Sequence, residues 1–139
     1  MKELFDVHCH MVPGVDDGAA DLEESLAMLK MQHEDGVRKI IITPHYRRRM
    51  FETPAKKVHE QFLKLQEAAK KEYPDMSLYL GCELHSNMDL QDILEKRKYV
   101  TMAGSSYVLL EFSEGDSAQH IRERVYNVLS CGYEPIIAH

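Results

Sequence analysis

The sequence predicts an α/β fold built on a mostly parallel sheet, and three observations predict it. Strand-like and helix-like segments alternate along the chain in the order β-α-β-α-β-α-β-α-β. The helical patterns run to roughly 10–15 residues, the length of a right-handed crossover between parallel strands. The strands include continuous apolar runs such as Ile40-Ile41-Ile42, the pattern of strands covered on both faces. At 139 residues the chain has one domain's length and falls short of the roughly 200 residues or more of a complete (β/α)8 barrel. No repeat, low-complexity stretch or linker divides it, so residues 1–139 are expected to form one domain.

Each element has its own signal. Leu4 to His8 reads as the first strand. Asp21 with Glu24 has capping-box spacing, and Leu22, Leu26, Leu29 and His33 follow as one helical stripe, stopped by Gly36. Val37 to Thr43 is the second strand. Thr53-Pro54 forms an N-cap and N1 pair ahead of Val58, Phe62, Leu65 and Ala69. Leu78 to Leu80 is the third strand. Asp89 to Lys98 reads as a short charged helix, and Tyr107 to Phe112 as a strand carrying a carboxylate. Ser117 to Cys131 reads as a helix with Ile121, Val125 and Leu129 inward, closed by Gly132. Glu134 to His139 is the last strand.

Composition narrows the function. There are 17 basic and 23 acidic residues, a net charge of −6, which counts against a sequence-nonspecific nucleic-acid binder. No apolar run approaches the 18 residues or so of a membrane span, and the N-terminus has no secretory h-region. Three cysteines without a CxxC pair argue against a disulfide framework or zinc ribbon and for a reducing, cytoplasmic setting. A cysteine phosphatase needs Arg six positions after its Cys. Cys9, Cys82 and Cys131 are followed there by Val15, Met88 and Ile137. GxSxG and Walker-type signatures are also missing, so any hydrolysis would have to come from metal.

The eight histidines direct attention to the strand ends, where parallel sheets bind ligands. The first strand ends in His8-Cys9-His10, the second in Thr43-Pro44-His45 and the third in Glu83, with His85 two residues on. The fourth carries Glu111 and the fifth ends in His139. Imidazole and carboxylate at five strand ends are costly to bury unless paired or bound to metal, and together they suit Zn, Mn or Fe. Alternation along a strand lets His8 and His10 face one ion. Glu83 or Glu111 could bridge two ions, and Asp16-Asp17-Gly18 could add an oxygen ligand or form only a turn. His85 shares the parity of Glu83 and could support a ligand. His33, His59 and His120 fall within helices, His33 half-buried and the other two on the surface. Arg47-Arg48-Arg49 would favour an anionic substrate, or else be a solvated run.

The segments Asp6-Val7-His8-Cys9-His10, Val15-Asp16-Asp17-Gly18, Thr43-Pro44-His45, Met50-Phe51-Glu52-Thr53-Pro54, Gly81-Cys82-Glu83, Leu110-Glu111-Phe112 and Pro135-Ile136-Ile137-Ala138-His139 resemble the bacterial capsule-associated protein-tyrosine phosphatases of the polymerase-and-histidinol-phosphatase superfamily. The resemblance implies a distorted (β/α)7 barrel, present here in part, with up to three metal ions, typically manganese. It implies phosphotyrosine hydrolysis by a metal-bound hydroxide, on substrates such as the tyrosine-rich tail of a kinase of polysaccharide export. It assigns His8, His10 and Glu83 to the first metal. Glu83, Glu111 and His139 would hold the second, and Asp17 and His45 the third. Arg47 and Arg48 would lie near the phosphate.

Family members reach about 250 residues, the usual size of such barrels. The Arg that follows their Pro-Ile-Ile-Ala-His segment and a later Asp-x-His lie outside this sequence, which leaves two of three sites short of a ligand. An open half-barrel would expose strand edges that a second copy could cover. Two other functions remain open: a related phosphoesterase acting on histidinol phosphate or a nucleotide, and a catalytically dead metal-binding or interaction module.

Overall fold

The structure, a computed structural model, describes residues 2–97 and 99–139. The strands are β1 (Leu4–Cys9), β2 (Val37–Ile42), β3 (His45–Tyr46), β4 (Ser77–Leu80), β5 (Glu83–His85), β6 (Tyr107–Glu111) and β7 (Glu134–Ile137). The helices are α1 (Leu22–Glu34), α2 (Ala55–Glu72), α3 (Leu90–Lys96) and α4 (Ala118–Ser130), with a 3-10 turn over Met102–Gly104. The strands are parallel and form two sheets, ordered β1-β2-β4 and β3-β5-β6-β7. Neither sheet closes, so the molecule is a partial barrel.

Two of the five expected strands are broken. The second divides into β2 and β3 at Thr43-Pro44, and the third into β4 and β5 at Gly81-Cys82. Pro44 has no N–H for a ladder bond. Hydrogen bonds nevertheless cross the gap, from Gly81 N to Ile42 O at 2.8 Å and from Glu83 N to Pro44 O at 3.0 Å. The chain therefore bends without losing its neighbours.

Apolar packing follows the two sheets. Ile40, Ile42, Leu78 and Leu80 pack with Leu29 of α1 and with Val58, Phe62 and Leu65 of α2. Leu84, Val108 and Leu110 pack with Leu90 and Leu94 of α3 and Val128 of α4. Leu109, Met102 and Ala138 make a small third cluster. On the two outer strands β1 and β7, Leu4, Phe5, Val7, Ile136 and Ile137 are exposed.

Three expectations are corrected. Thr53 does not cap α2: Pro54 is the N-cap, and the Thr53 hydroxyl donates instead to Val15 O at 2.8 Å. In α4 the buried residue is Val128, while Leu129 is 51% exposed. At 100° per residue, two steps of four carry Leu129 about 80° away from Ile121, whereas Val128 lies within about 20° of it. The stripe of α1 likewise centres on Ser25 and Leu29 and leaves Leu22 at the exposed margin. Half of the capping box forms, with Glu24 N donating to Asp21 Oδ1 at 2.9 Å, while the Glu24 carboxylate accepts from Ala20 N, one residue before the N-cap. The charged helix ends at Lys96, where Arg97 turns extended. Lys98 lies outside the described residues.

Candidate metal centre

Glu83 is the centre of the site. It opens β5 and is fully buried. A lone carboxylate there would be costly, yet this one is surrounded by imidazoles. His8 Nε2 and His10 Nε2 both lie 3.0 Å from Glu83 Oε2, and His139 Nε2 lies 3.0 Å from Oε1. His45 Nδ1 is 3.3 Å from Glu83 Oε2 and equally 3.3 Å from Glu111 Oε2. Parallel pairing sets this up: β3 pairs with β5 so that His45 is opposite Glu83, and β6 follows with Glu111 opposite His85.

The loop after β1 closes one side. Asp17 Oδ1 approaches His45 Nε2 at 3.6 Å from an exposed position. Asp16 is the better anchored of the two acids. It takes His10 Nδ1 at 3.0 Å and accepts from His45 N at 2.9 Å and Gly18 N at 3.0 Å. The tie to His10 Nδ1 turns His10 Nε2 toward Glu83, as a supporting carboxylate does for a ligand imidazole. Gly18 makes the turn possible, because a Cβ there would meet His10 O at 2.0 Å.

The charges reinforce one another. Burial disfavours the Glu83 carboxylate, but hydrogen bonds from His10 and His8 outweigh it and bring its pKa down to about 2. Burial likewise works against protonated His10, yet its bonds to Asp16 and Glu83 raise its pKa to about 10. Asp16 is held low by His10 and two backbone N–H groups, against the opposing effect of burial. The neighbouring thiols behave oppositely. Burial pushes Cys82 up to about 12 and raises Cys9 as well, so neither offers a ready thiolate.

All seven residues singled out as ligands thus meet at one edge. They form three overlapping groups whose donor atoms lie within 4.8 Å of one another: His8, Glu83 and His139; His10, Asp17 and His45; His45, Glu83 and Glu111. The donor set fits divalent metal. His45 Nδ1 and Glu111 Oε2 are buried and have no hydrogen bond, a costly arrangement in a protein interior and a natural one around an ion.

The rest of the candidate residues separate. Arg47 Nη1 is 4.0 Å from Glu111 Oε1, whereas the Arg48 side chain is exposed. Buried His85 accepts from Asn87 N on Nδ1 and faces Ser113 Oγ through Nε2, away from the carboxylates. His33 is half-buried against Asp75 and Tyr73. His59 and His120 are half-buried rather than on the surface, because His59 stacks on Tyr99 and His120 sits against Ser86 and Phe112. Ser86, His120 and Asp116 have the residue types of a catalytic triad but not its geometry. Both partners face the same nitrogen, Nε2, and Ser86 is fully buried.

Two residues of segments already singled out gain roles that the sequence does not show. Asp16, in the Asp16-Asp17-Gly18 segment, supports His10 as well as making the turn. Phe51, in the Met50-Phe51-Glu52-Thr53-Pro54 segment, stacks on His45 with ring centroids 5.0 Å apart.

A family model described as capsular polysaccharide synthesis, CpsB/CapC, matches residues 4–139. This chain belongs to the CpsB/CapC family. It is 40% identical over 136 residues to the tyrosine-protein phosphatase CpsB of Streptococcus pneumoniae, a match covering 98% of this chain and 56% of that protein. To the tyrosine-protein phosphatase YwqE of Bacillus subtilis it is 29% identical, covering 98% and 54%. The fold matches a chain from the crystal structures of YwqE and CpsB, described as unique metal-dependent tyrosine phosphatases, with a TM-score of 0.87 over 98% of this chain and 55% of the other. The chain therefore spans just over half the length of these relatives.

Proposed function

We propose that this chain carries the larger part of the metal centre of a metal-dependent protein-tyrosine phosphatase, within one domain of the polymerase-and-histidinol-phosphatase type. The observation that carries the reading is the buried Glu83 carboxylate ringed by His8, His10, His45 and His139. Manganese is the ion proposed, with iron or zinc able to use the same donors. Glu83 would be shared between ions, His8, His10 and His139 would complete its surroundings, and His45, Asp17 and Glu111 would hold the remainder. Ions bound there supply the Lewis acidity and the acidified water that phosphoester hydrolysis needs at neutral pH.

The chain's own residues do the rest. Arg47, beside Glu111, would orient the phosphate through its planar guanidinium, with Arg48 at the entrance. Asp16 would fix His10 and the backbone of His45, so that the ligand set is preorganised. Phe51, stacked on His45, offers an aromatic wall to a phenyl ring entering the site. The substrate class proposed is a phosphotyrosine-bearing protein, specifically a bacterial tyrosine kinase of polysaccharide export. The relatives' names support the phosphotyrosine protein, and the family's description supports the polysaccharide setting. Three free cysteines fit a cytoplasmic setting.

The test is phosphate release from a phosphotyrosine peptide by manganese-loaded protein, with and without chelator. It is run on this chain and on a version carried to the full length of its relatives. Chelator-sensitive release that small phosphomonoesters compete for only weakly is the expected result. If the full-length version binds metal and releases no phosphate from the peptide, the reading is wrong.

A further inference from the structure

We propose that a basic groove on α2, beside the metal centre, docks an acidic stretch of the phosphotyrosine substrate. The inference rests on the phosphatase reading and specifies its substrate further. The groove is lined by Pro54, Lys56, Lys57, Glu60, Gln61 and Lys64 and has a volume of about 480 Å³. Lys56, Lys57 and Lys64 are exposed, and among the described residues none of them forms an ion pair.

Charge is concentrated here against the overall balance. Residues 47–64 carry six basic and two acidic side chains, a net +4, in a chain of net −6; the remaining residues therefore carry −10. The first turn of α2 holds two lysines and no acid, the reverse of what the helix dipole favours. A local feature that works against its own helix is better explained by a partner than by folding.

The groove is tied to the site. Gln61 Nε2 donates to Pro13 O at 3.2 Å, and Thr53 Oγ1 donates to Val15 O at 2.8 Å. Pro13 and Val15 belong to the loop that carries Asp16 and Asp17. The segment that carries Arg47 and Arg48 also leads along the chain into α2, whose first turn holds Lys56 and Lys57. Lys57 and Lys64 are about 10 Å apart along the helix axis, the span of about three extended residues. Acidic side chains at that spacing would meet both.

Other polyanions fit less well. Three lysines over such a span are a narrow footprint for duplex DNA, and the net charge opposes it. The apolar face of α2, Val58, Phe62, Leu65 and Ala69, is buried in the core and cannot enter a membrane.

The experiment is fluorescence anisotropy on the manganese-loaded chain with three labelled peptides. Two carry a non-hydrolysable phosphonate analogue of phosphotyrosine, one flanked by glutamates and one by glutamines. The third has the glutamates and no phosphonate. The glutamate-flanked phosphonate should bind about tenfold more tightly than its glutamine counterpart, with three exposed pairs each worth a factor of about two. High salt should erase the advantage. The triple variant K56E/K57E/K64E, shown folded by circular dichroism, should lose the advantage and bind the glutamine-flanked phosphonate like wild type. Equal binding of the two phosphonates overturns the docking groove, as does DNA or an anionic vesicle competing as well as the acidic peptide. If the glutamine-flanked phosphonate does not bind and the glutamate-flanked one binds no more tightly than the third peptide, the phosphotyrosine reading fails. The third peptide then decides the groove alone: binding that the triple variant loses upholds it, and no binding overturns it.

Discussion

Replacing Glu83 with Gln keeps the shape of the central side chain and removes its charge. In the metal-free chain the carboxylate is held near pKa 2 against an ordinary 4.5. At about 1.4 kcal/mol per unit, that gap corresponds to about 3 kcal/mol favouring the folded state at neutral pH. The contribution is fully present above pH 4.5 and is lost as pH falls through about 2. Glu83→Gln in chelator should therefore lower the unfolding free energy by about 3 kcal/mol at pH 7, or about 10 °C in Tm. At pH 3 the deficit should shrink to about half. With manganese added, the wild type should gain stability and the variant should not, because the residue shared by two of the three donor groups has lost its charge. The assay is urea denaturation at the two pH values, paired with elemental analysis of bound metal. A variant that unfolds like wild type in chelator and binds the same number of ions would refute the reasoning.

Gly18→Ala should disrupt the loop that holds Asp16, since the added Cβ would sit 2.0 Å from His10 O. Metal affinity should fall at least tenfold while far-UV circular dichroism changes little, both measured on one preparation. Metal affinity should rise with pH by up to about tenfold per unit between roughly pH 7 and 9, because an ion must displace the proton that His10 keeps up to about 10. Titration calorimetry in buffers of different ionisation enthalpy would read the released proton, and a pH-independent affinity would contradict the donor role of His10. Leu84→Ala, at a fully buried position between the helices α3 and α4 and β6, should cost about 2–5 kcal/mol in denaturant unfolding. Arg47→Ala in the full-length version should raise KM for phosphotyrosine peptide several-fold without reducing bound metal; loss of the metal would make Arg47 a structural partner of Glu111 instead.

The alternating elements were legible because each carries its own local signal: β-branched runs for the strands, and caps and apolar spacing for the helices. The ligand candidates were legible because polar residues stood at five strand ends of a fold that gathers such ends at one edge. What escaped was non-local. Thr53 has the chemistry of a cap, but Val15 O, far away in sequence, takes its hydroxyl. Arg97 looked like one more charge in a polar helix. Its guanidinium lies 3.7 Å over the Tyr46 ring and donates to Thr53 O at 2.9 Å, pinning both ends of the segment that carries Arg47 and Arg48. His59 was placed at the surface because Tyr99, 40 positions on, has no spacing relation to it. The grouping of ligands also depends on the bend. Spacing joins His8 to His10, and the structure brings both to Glu83 Oε2; what spacing does not show is that the fold adds His139 beside His8 and His45 beside His10.

The bend is what turns a row of strand ends into a centre. Ile42 pairs with Leu80 before it, and His45 pairs with Glu83 after it. Both strands therefore spend the same two residues at the break, Thr43-Pro44 in one and Gly81-Cys82 in the other, and the register survives. The two halves of the bend complement each other. Pro44 gives up the N–H that a straight ladder would require, while its carbonyl still accepts from Glu83 N. Gly81 leaves room for Met102 Sδ, Ile41 Cγ2 and Thr43 Cγ2, which an added Cβ would meet at 2.9, 3.1 and 3.3 Å. A one-residue insertion in either break would slip the register and turn His45 or Glu83 to the opposite face, since side chains alternate with period two. The carboxylate would then point into the helices and the imidazoles would lose their common partner. The chemistry of the site thus depends on Thr43, Pro44, Gly81 and Cys82 as much as on the donors, although none of these four supplies a donor atom to the three groups.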